Sequence, residues 1–228
     1  MIDYELEKDY RKRRMKDDED EKIVSEFADE YFYPHFADKW ERNTDKSTQI
    51  KGLDVTVTGT TGSIYTIDEK AATHWIGKNL QTFSQELSFV NKIGKIQNGW
   101  FLDTNCINDY FVEIWIDDVS SSEKILNDWH DITDATIVLL KKEDMYQRLR
   151  NNNIHGEQCL KICQDLRDKE SNKSESVYYN QYKLCVQPKN KRERAGNILF
   201  SRNVLVNELS IFAVRIKNKE SHIIVDKR

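Results

Sequence analysis

Asp54, Asp68 and Lys70 fall within one short segment, "QIKGLDVTVTGTTGSIYTIDEKAA" from Gln49 to Ala72. Their types suit one kind of chemistry. Two carboxylates offer hard oxygen ligands to Mg2+, an ion that keeps several waters and also meets substrate phosphate. Such an ion polarises a phosphoryl group and lowers the pKa of a coordinated water. A lysine close by steadies the attacking water or the charge that develops on phosphate. The combination points to metal-assisted hydrolysis of a phosphodiester, with Mg2+ as the cofactor and Mn2+ able to substitute.

That chemistry needs the three groups together, and the surrounding pattern predicts that they meet. Residues 52–58 and 63–70 read as two strands joined by Thr60-Thr61-Gly62, a three-residue loop whose glycine supplies the left-handed position. Thr58 then faces Ile64, Val57 faces Tyr65, Thr56 faces Thr66, Val55 faces Ile67 and Asp54 faces Asp68. Alternation along a strand puts Leu53, Val55, Val57, Tyr65, Ile67 and Glu69 on one face. Asp54, Thr56, Thr58, Ile64, Thr66, Asp68 and Lys70 take the other. A two- or four-residue loop would mix the faces, which a sheet with a buried side resists. Asp68 and Lys70 are then about 6–7 Å apart along the strand. Asp54 and Asp68 form a like-charge pair that weakens a ladder unless a cation lies between them. The plain alternative is an exposed strand end with a surface ion pair worth little.

The remaining elements are expected as follows. Residues 1–18 are almost all charged and read as an exposed helix or an arm. Asp18 to Tyr33 carries Ile23, Phe27 and Tyr31 at i, i+4 spacing, an amphipathic helix that Pro34 stops or kinks. The aromatic group Tyr31, Phe32, Tyr33 and Phe36 reads as core. Residues 74–90 place Trp75, Phe83, Leu87 and Val90 at roughly helical spacing, with Gln81, Gln85 and Glu86 on that helix. Strands are expected near 98–102 and 111–116, and a strand or a helix start at 136–142. A short helix is expected at 157–167, then short strands in "SVYYNQYKLCV", "GNILF" and "LSIFAVRI". This gives a core at 19–150 and an extension at 151–228 packed on it. Cys159 and Cys163 share a helical face and read as buried thiols, since free Cys behaves as a small hydrophobe.

Composition narrows the class. Of 228 residues, 38% are hydrophobic and 11% aromatic, enough for a substantial core although 32% are charged. The net charge of -4 is not the overall signature of a nucleic-acid binder, but the basic run at 189–194 would suit phosphate contacts. His74, just past the lysine strand, reads as a surface histidine. No apolar run approaches the length of a membrane span and no secretory apolar region opens the chain, so no membrane partner and a cytoplasmic location are expected.

The hairpin resembles the PD-(D/E)xK nuclease superfamily. "GLD" at 52–54 is similar to the first acidic half-motif, with Leu53 where the name-giving proline would stand. "IDEK" at 67–70 is similar to the second, with Asp68 as the acid and Lys70 as the lysine. The bare string also occurs at Asp20-Glu21-Lys22 without a strand around it. The resemblance covers residues 20–116 and implies a mixed α+β, restriction-endonuclease-like fold: a central mixed sheet flanked by helices. It implies a metal-dependent nuclease acting on DNA, with Asp54 and Asp68 binding metal and Lys70 positioning water. Glu26 on the preceding helix would complete the site, with Glu30 as second candidate. Double-strand cutting with one site per chain would call for a homodimer. The alternative is a catalytically inactive scaffold that binds nucleic acid or protein, and a third reading is a hydrolase of small phosphorylated substrates.

Overall fold

The computed structural model describes residues 4–191 and 193–228, with side chains from Met15 onward. Helix α1 runs Tyr4–Tyr31 and is followed by a 3-10 turn, Tyr33–His35, with Pro34 in its first positions. The chain then forms β1 Ala37–Arg42, a one-turn helix α2 Lys46–Gln49, β2 Val55–Gly59, β3 Ile64–Ala71, β4 Thr82–Val90, β5 Ile96–Asn98 and β6 Tyr110–Val119. Next come β7 Ile132–Lys141, α3 Lys142–Asn151, α4 Gly156–Asp168, β8 Glu175–Tyr179, β9 Tyr182–Val186 and β10 Gly196–Ser201. A π-helical turn at Val204–Leu209 leads to β11 Ser210–Lys217 and β12 Glu220–Asp226.

Among the described residues twelve strands divide into two sheets. The larger has the order β1-β2-β3-β6-β7-β11-β12 and the smaller β5-β4-β10-β9-β8. Within the larger sheet the β3–β6 pair is parallel and the other pairs antiparallel, so that sheet is mixed. The protein is therefore of the mixed α+β class. Residues after 150 supply strands to both sheets, because β10 pairs with β4 and β11 with β7.

Each face of the larger sheet has its own core. On one, Val24, Phe27 and Ala28 of α1 pack with Val55, Val57, Ile67, Val112 and Ile114. Phe32, Tyr33 and Phe36 are at most 1% exposed there and Tyr31 packs partly buried against them, so the aromatic group belongs to the core as expected. On the other face, Phe111, Trp115, Val138 and Leu140 meet Phe83 and Leu87 of β4, Leu184 and Val186 of β9, and Ile198 and Phe200 of β10. Burying apolar surface on both faces explains the nearly continuous apolar runs of β6 and β7. Cys159 and Cys163 of α4 are free and buried in this second core.

Three expectations are corrected. The strand expected near 98–102 is a turn that follows β5. Residues 74–90 are not a helix: a 3-10 turn at Thr73–Trp75 gives way to β4. Phe83, Gln85 and Leu87 are all buried and alternate with Ser84 and Glu86, a strand period that a buried glutamine hid. The face of the larger sheet opposite α1 is thus covered largely by a second sheet, and helices do not flank the sheet in the expected way. The charged segment 1–18 continues α1 from Tyr4 onward, residues 1–3 lying outside the described residues, as does Arg192 in the basic run. No helix is long and apolar enough to cross a membrane among the described residues.

Candidate metal centre

The hairpin has the register that alternation predicts: Val55 pairs with Ile67, Thr56 with Thr66, Val57 with Tyr65 and Thr58 with Ile64. Gly59 and Gly62 close the loop through Gly59 N–H to Ser63 O and Gly62 N–H to Gly59 O, both 2.8 Å. Gly62 has φ +79°, the left-handed region that glycine enters without steric cost. The first strand begins three residues later than expected, at Val55. Upstream the chain is held from the side: Asn43 N–H donates to Asp54 O at 2.8 Å, and the Asn43 side-chain amide to Leu53 O at 2.9 Å. Asp54 N–H still reaches Ile67 O at 2.9 Å, so Asp54 is placed opposite Asp68.

Asp54, Asp68 and Lys70 come together on the face turned towards the second sheet. Lys70 Nζ lies 2.7 Å from Asp68 Oδ1. Asp68 is 1% exposed, and apart from that ion pair neither of its carboxylate oxygens has a hydrogen-bond partner among the described residues. Asp54 is half-buried and accepts the Glu69 N–H at 2.9 Å. Burial, reinforced by the charge of Asp68, pushes the Asp54 carboxyl up to about 7, against the opposing pull of Lys70 and the Glu69 N–H. For Lys70, burial acts downward but the charges of Asp68 and Asp54 prevail and raise its pKa. Its side chain remains 39% exposed, so the cluster has an open side.

Gly52, with φ +74°, lets the chain pass close by: a Cβ there would stand 3.0 Å from Asn108 Oδ1 and 3.5 Å from Asp68 Oδ2. Between Asp68 and Lys70, Glu69 points the other way. It accepts from Ser25 Oγ and Tyr33 Oη, each at 2.7 Å, and lies 3.4 Å from Arg42 Nη1. The middle residue of the acid-x-lysine string therefore ties α1 and β1 to β3 and belongs to the scaffold.

Glu26 does not join the trio. It is exposed on α1, 3.9 Å from Lys22 Nζ, and α1 packs through Val24, Phe27 and Ala28 on the face that carries Ile67 and Glu69. Glu30 is exposed as well. Asp20 of the second acid-x-lysine string sits on α1 and pairs with Lys16 at 2.7 Å. His74 is largely exposed, 3.5 Å from Asp17.

Several neighbours of the site come from elements that the pattern misassigned or did not single out. Trp100 stands beside Lys70, its ring centroid 5.2 Å from Nζ, within cation–π range. Glu86 of β4 is also close enough to feel Lys70. Burial, with the charge of Glu193, lifts its carboxyl to about 7 while Lys70 and Arg167 act the other way. Glu113 of β6, in register with Lys70, is fully buried and accepts from the Gln85 side-chain amide. A glutamate inside "FVEIWI" was the available signal, since an ionisable residue is rarely buried in such a run without a partner.

Two facing carboxylates, of which Asp68 has no donor besides Lys70 among the described residues, fit a hard divalent cation, which takes oxygen ligands and keeps waters for its remaining positions. Asp54 and Asp68 would hold it. No group of three or more His, Cys, Asp or Glu side chains is arranged to hold a metal among the described residues, so most of the coordination shell would be water or substrate. Comparison with protein-family models, curated proteins and solved structures finds no match to this chain. What the fold and site define is a mixed α+β protein with a two-carboxylate, one-lysine centre at the end of a hairpin in its larger sheet.

Proposed function

We propose that this protein is a Mg2+-dependent nuclease that hydrolyses phosphodiester bonds of DNA. The observation that carries the reading is the convergence of Asp54, Asp68 and Lys70, with the Asp68 oxygens buried and unpartnered except for the lysine. Leaving buried carboxylate oxygens without donors costs stability, and such strain tends to gather at functional sites. The resemblance of "GLD" and "IDEK" to the PD-(D/E)xK half-motifs supports the same reading, and β4 in place of the superfamily's second helix is a departure from it.

Asp54 and Asp68 would hold Mg2+, and the chemistry it would supply there is Lewis-acid stabilisation of charge on the phosphoryl oxygens. Lys70, held in place by Asp68 and protonated at neutral pH, orients the attacking water or meets the charge on the phosphate. The Glu69 N–H fixes the Asp54 carboxyl, and the Glu69 side chain locks β3 to α1 and β1. A duplex cut on both strands would take two copies of the chain.

The test is cleavage of supercoiled plasmid, linear duplex, single-stranded DNA and RNA with Mg2+, Mn2+ or chelator. Wild type is compared with Asp68→Asn and Lys70→Met. Metal-dependent cutting of DNA that both folded variants lose is the expected result; equal cutting by wild type and variants would overturn the reading. An inactive scaffold that binds nucleic acid or protein is favoured by one observation, the lack of a third metal-ligating side chain beside the pair among the described residues. It predicts no cutting by any form, and binding that Lys70→Met leaves intact.

A further inference from the structure

A pocket of about 520 Å3 opens between the start of β6 and the start of α3, lined among others by Cys106, Asn108, Asp109, Tyr110, Lys142 and Tyr146. Its volume is within the range of small-ligand sites. It shares a wall with the metal centre: the Asn108 carboxamide oxygen lies beside Gly52, whose missing Cβ position is also next to Asp68 Oδ2.

Lys142 is the unusual group in this pocket. The residue is 9% exposed. Its ammonium is 3.3 Å from Asn108 Oδ1 and 5.7 Å from the Phe111 ring centroid, and no carboxylate forms an ion pair with it among the described residues. Burial depresses its pKa, and the charges of Cys106, Asp68, Asp103 and Asp109 only partly offset this. A buried ammonium is costly unless paired and hydrogen-bonded. The acidic groups of the pocket are engaged elsewhere. Asp103 accepts from the Asn105 backbone and side chain at 2.9 Å, Asp109 from Thr66 Oγ1 at 3.1 Å, and Glu143 pairs with Arg150. The pocket thus offers one deep, under-partnered cation, with Tyr110, Leu102 and Ile64 as apolar wall.

We propose that this pocket is a nucleotide subsite contiguous with the Asp54–Asp68–Lys70 centre, in which Lys142 grips a phosphate and the apolar wall receives the attached nucleoside. The nucleotide as ligand rests on the nuclease reading, whereas the phosphate site rests on Lys142 and the cavity. One chemistry could arrive from two sources, a free nucleotide or one unit of a DNA strand bound across the metal centre. Asp68 is near enough to both Lys70 and Lys142 for its charge to favour the protonated form of each, so a strand bound at the metal centre would also feel Lys142.

Cys106, half-buried in the pocket wall, reports occupancy without any substitution. Alkylation of Cys106 by iodoacetamide, read by mass spectrometry with Cys185 as internal control, would be followed in chelator. The probes are thymidine 3′,5′-bisphosphate, thymidine, and a phosphorothioate oligothymidylate. The bisphosphate should slow Cys106 alkylation while thymidine does not, and Lys142→Met should weaken that protection by about tenfold or more, as loss of a charge-assisted contact implies. Asp68→Asn should keep it. Protection by the oligonucleotide at lower concentration than the bisphosphate identifies a strand; the reverse order identifies a free nucleotide. Unchanged alkylation in wild type, or equal protection in a folded Lys142→Met, would overturn the subsite. The outcomes separate from those of the nuclease reading: protection without cleavage by any form keeps the subsite and removes the nuclease, and cleavage without protection does the opposite.

Discussion

Asp68 on β3 and Glu113 on β6 point to the same face of the same sheet, one 1% and the other 0% exposed, yet their surroundings differ. Asp68 has Lys70 at 2.7 Å, faces Asp54, and keeps oxygens with no other partner among the described residues. Among the described residues Glu113 meets no cation: one oxygen accepts from the Gln85 amide of the second sheet, and Oε2 has no partner. Burial raises the Glu113 carboxyl well above its ordinary range, only partly opposed by that hydrogen bond. The comparison separates two ways of burying an acid. A carboxyl whose proton is held by burial carries no charge and joins two sheets through an amide without calling for a cation. A carboxylate beside a second carboxylate and a half-exposed lysine is the arrangement that the proposed cation would occupy.

The largest effect should come from Asp68→Asn. The change keeps shape and removes a buried charge, so DNA cleavage should fall by more than about 100-fold while the melting temperature in chelator stays level or rises. Parallel loss of activity and folding would make Asp68 a structural acid like Glu113. Next is Lys70→Met, which leaves the buried Asp68 with no ion-pair partner. It should cost about 1–3 kcal/mol in denaturant unfolding with chelator, at the modest end because a 39% exposed lysine is partly screened. Mg2+ should restore part of that loss, and a variant as stable as wild type in chelator would mean the ion pair contributes nothing.

A smaller effect tests the other member of the comparison. The unfolded chain releases the Glu113 proton near 4.5, whereas the folded protein holds it to a higher pH. The stability this gives is fully present below 4.5 and is lost as pH rises toward the folded value. Glu113→Gln should therefore flatten the fall of melting temperature as pH rises above about 4.5; an unchanged slope would show that Glu113 does not hold its proton. The smallest effect belongs to Glu26→Ala, expected to change stability by less than about 0.5 kcal/mol and to leave cleavage unchanged. A large loss of activity would return Glu26 to the site.

What the sequence could reveal follows the range of the forces involved. The hairpin was legible because Thr60-Thr61-Gly62 and strict alternation act over a few residues and admit one register. The core face of α1 was legible from Ile23, Phe27 and Tyr31. The 74–90 segment misled because Trp75, Phe83, Leu87 and Val90 mimic a helical stripe, while the strand period depends on a polar residue, Gln85, being buried by Glu113 from a distant strand. Glu26 misled for a related reason: helical spacing shows that a glutamate is on α1 but not which sheet face the helix covers. Trp100 and Glu86 come near Lys70, and Lys142 meets Asn108, only through the way the second sheet and α3 are placed, and no local pattern encodes that.

The central claim is that Asp54 and Asp68 together hold a divalent cation. Binding of Mn2+ to the full chain, followed by electron paramagnetic resonance and by calorimetry at neutral pH, tests it most directly. One saturable site in wild type that Mg2+ displaces, and that is lost in a folded Asp68→Asn variant, is the predicted result. No saturable site in wild type, or one that Asp68→Asn retains unchanged, would contradict the account.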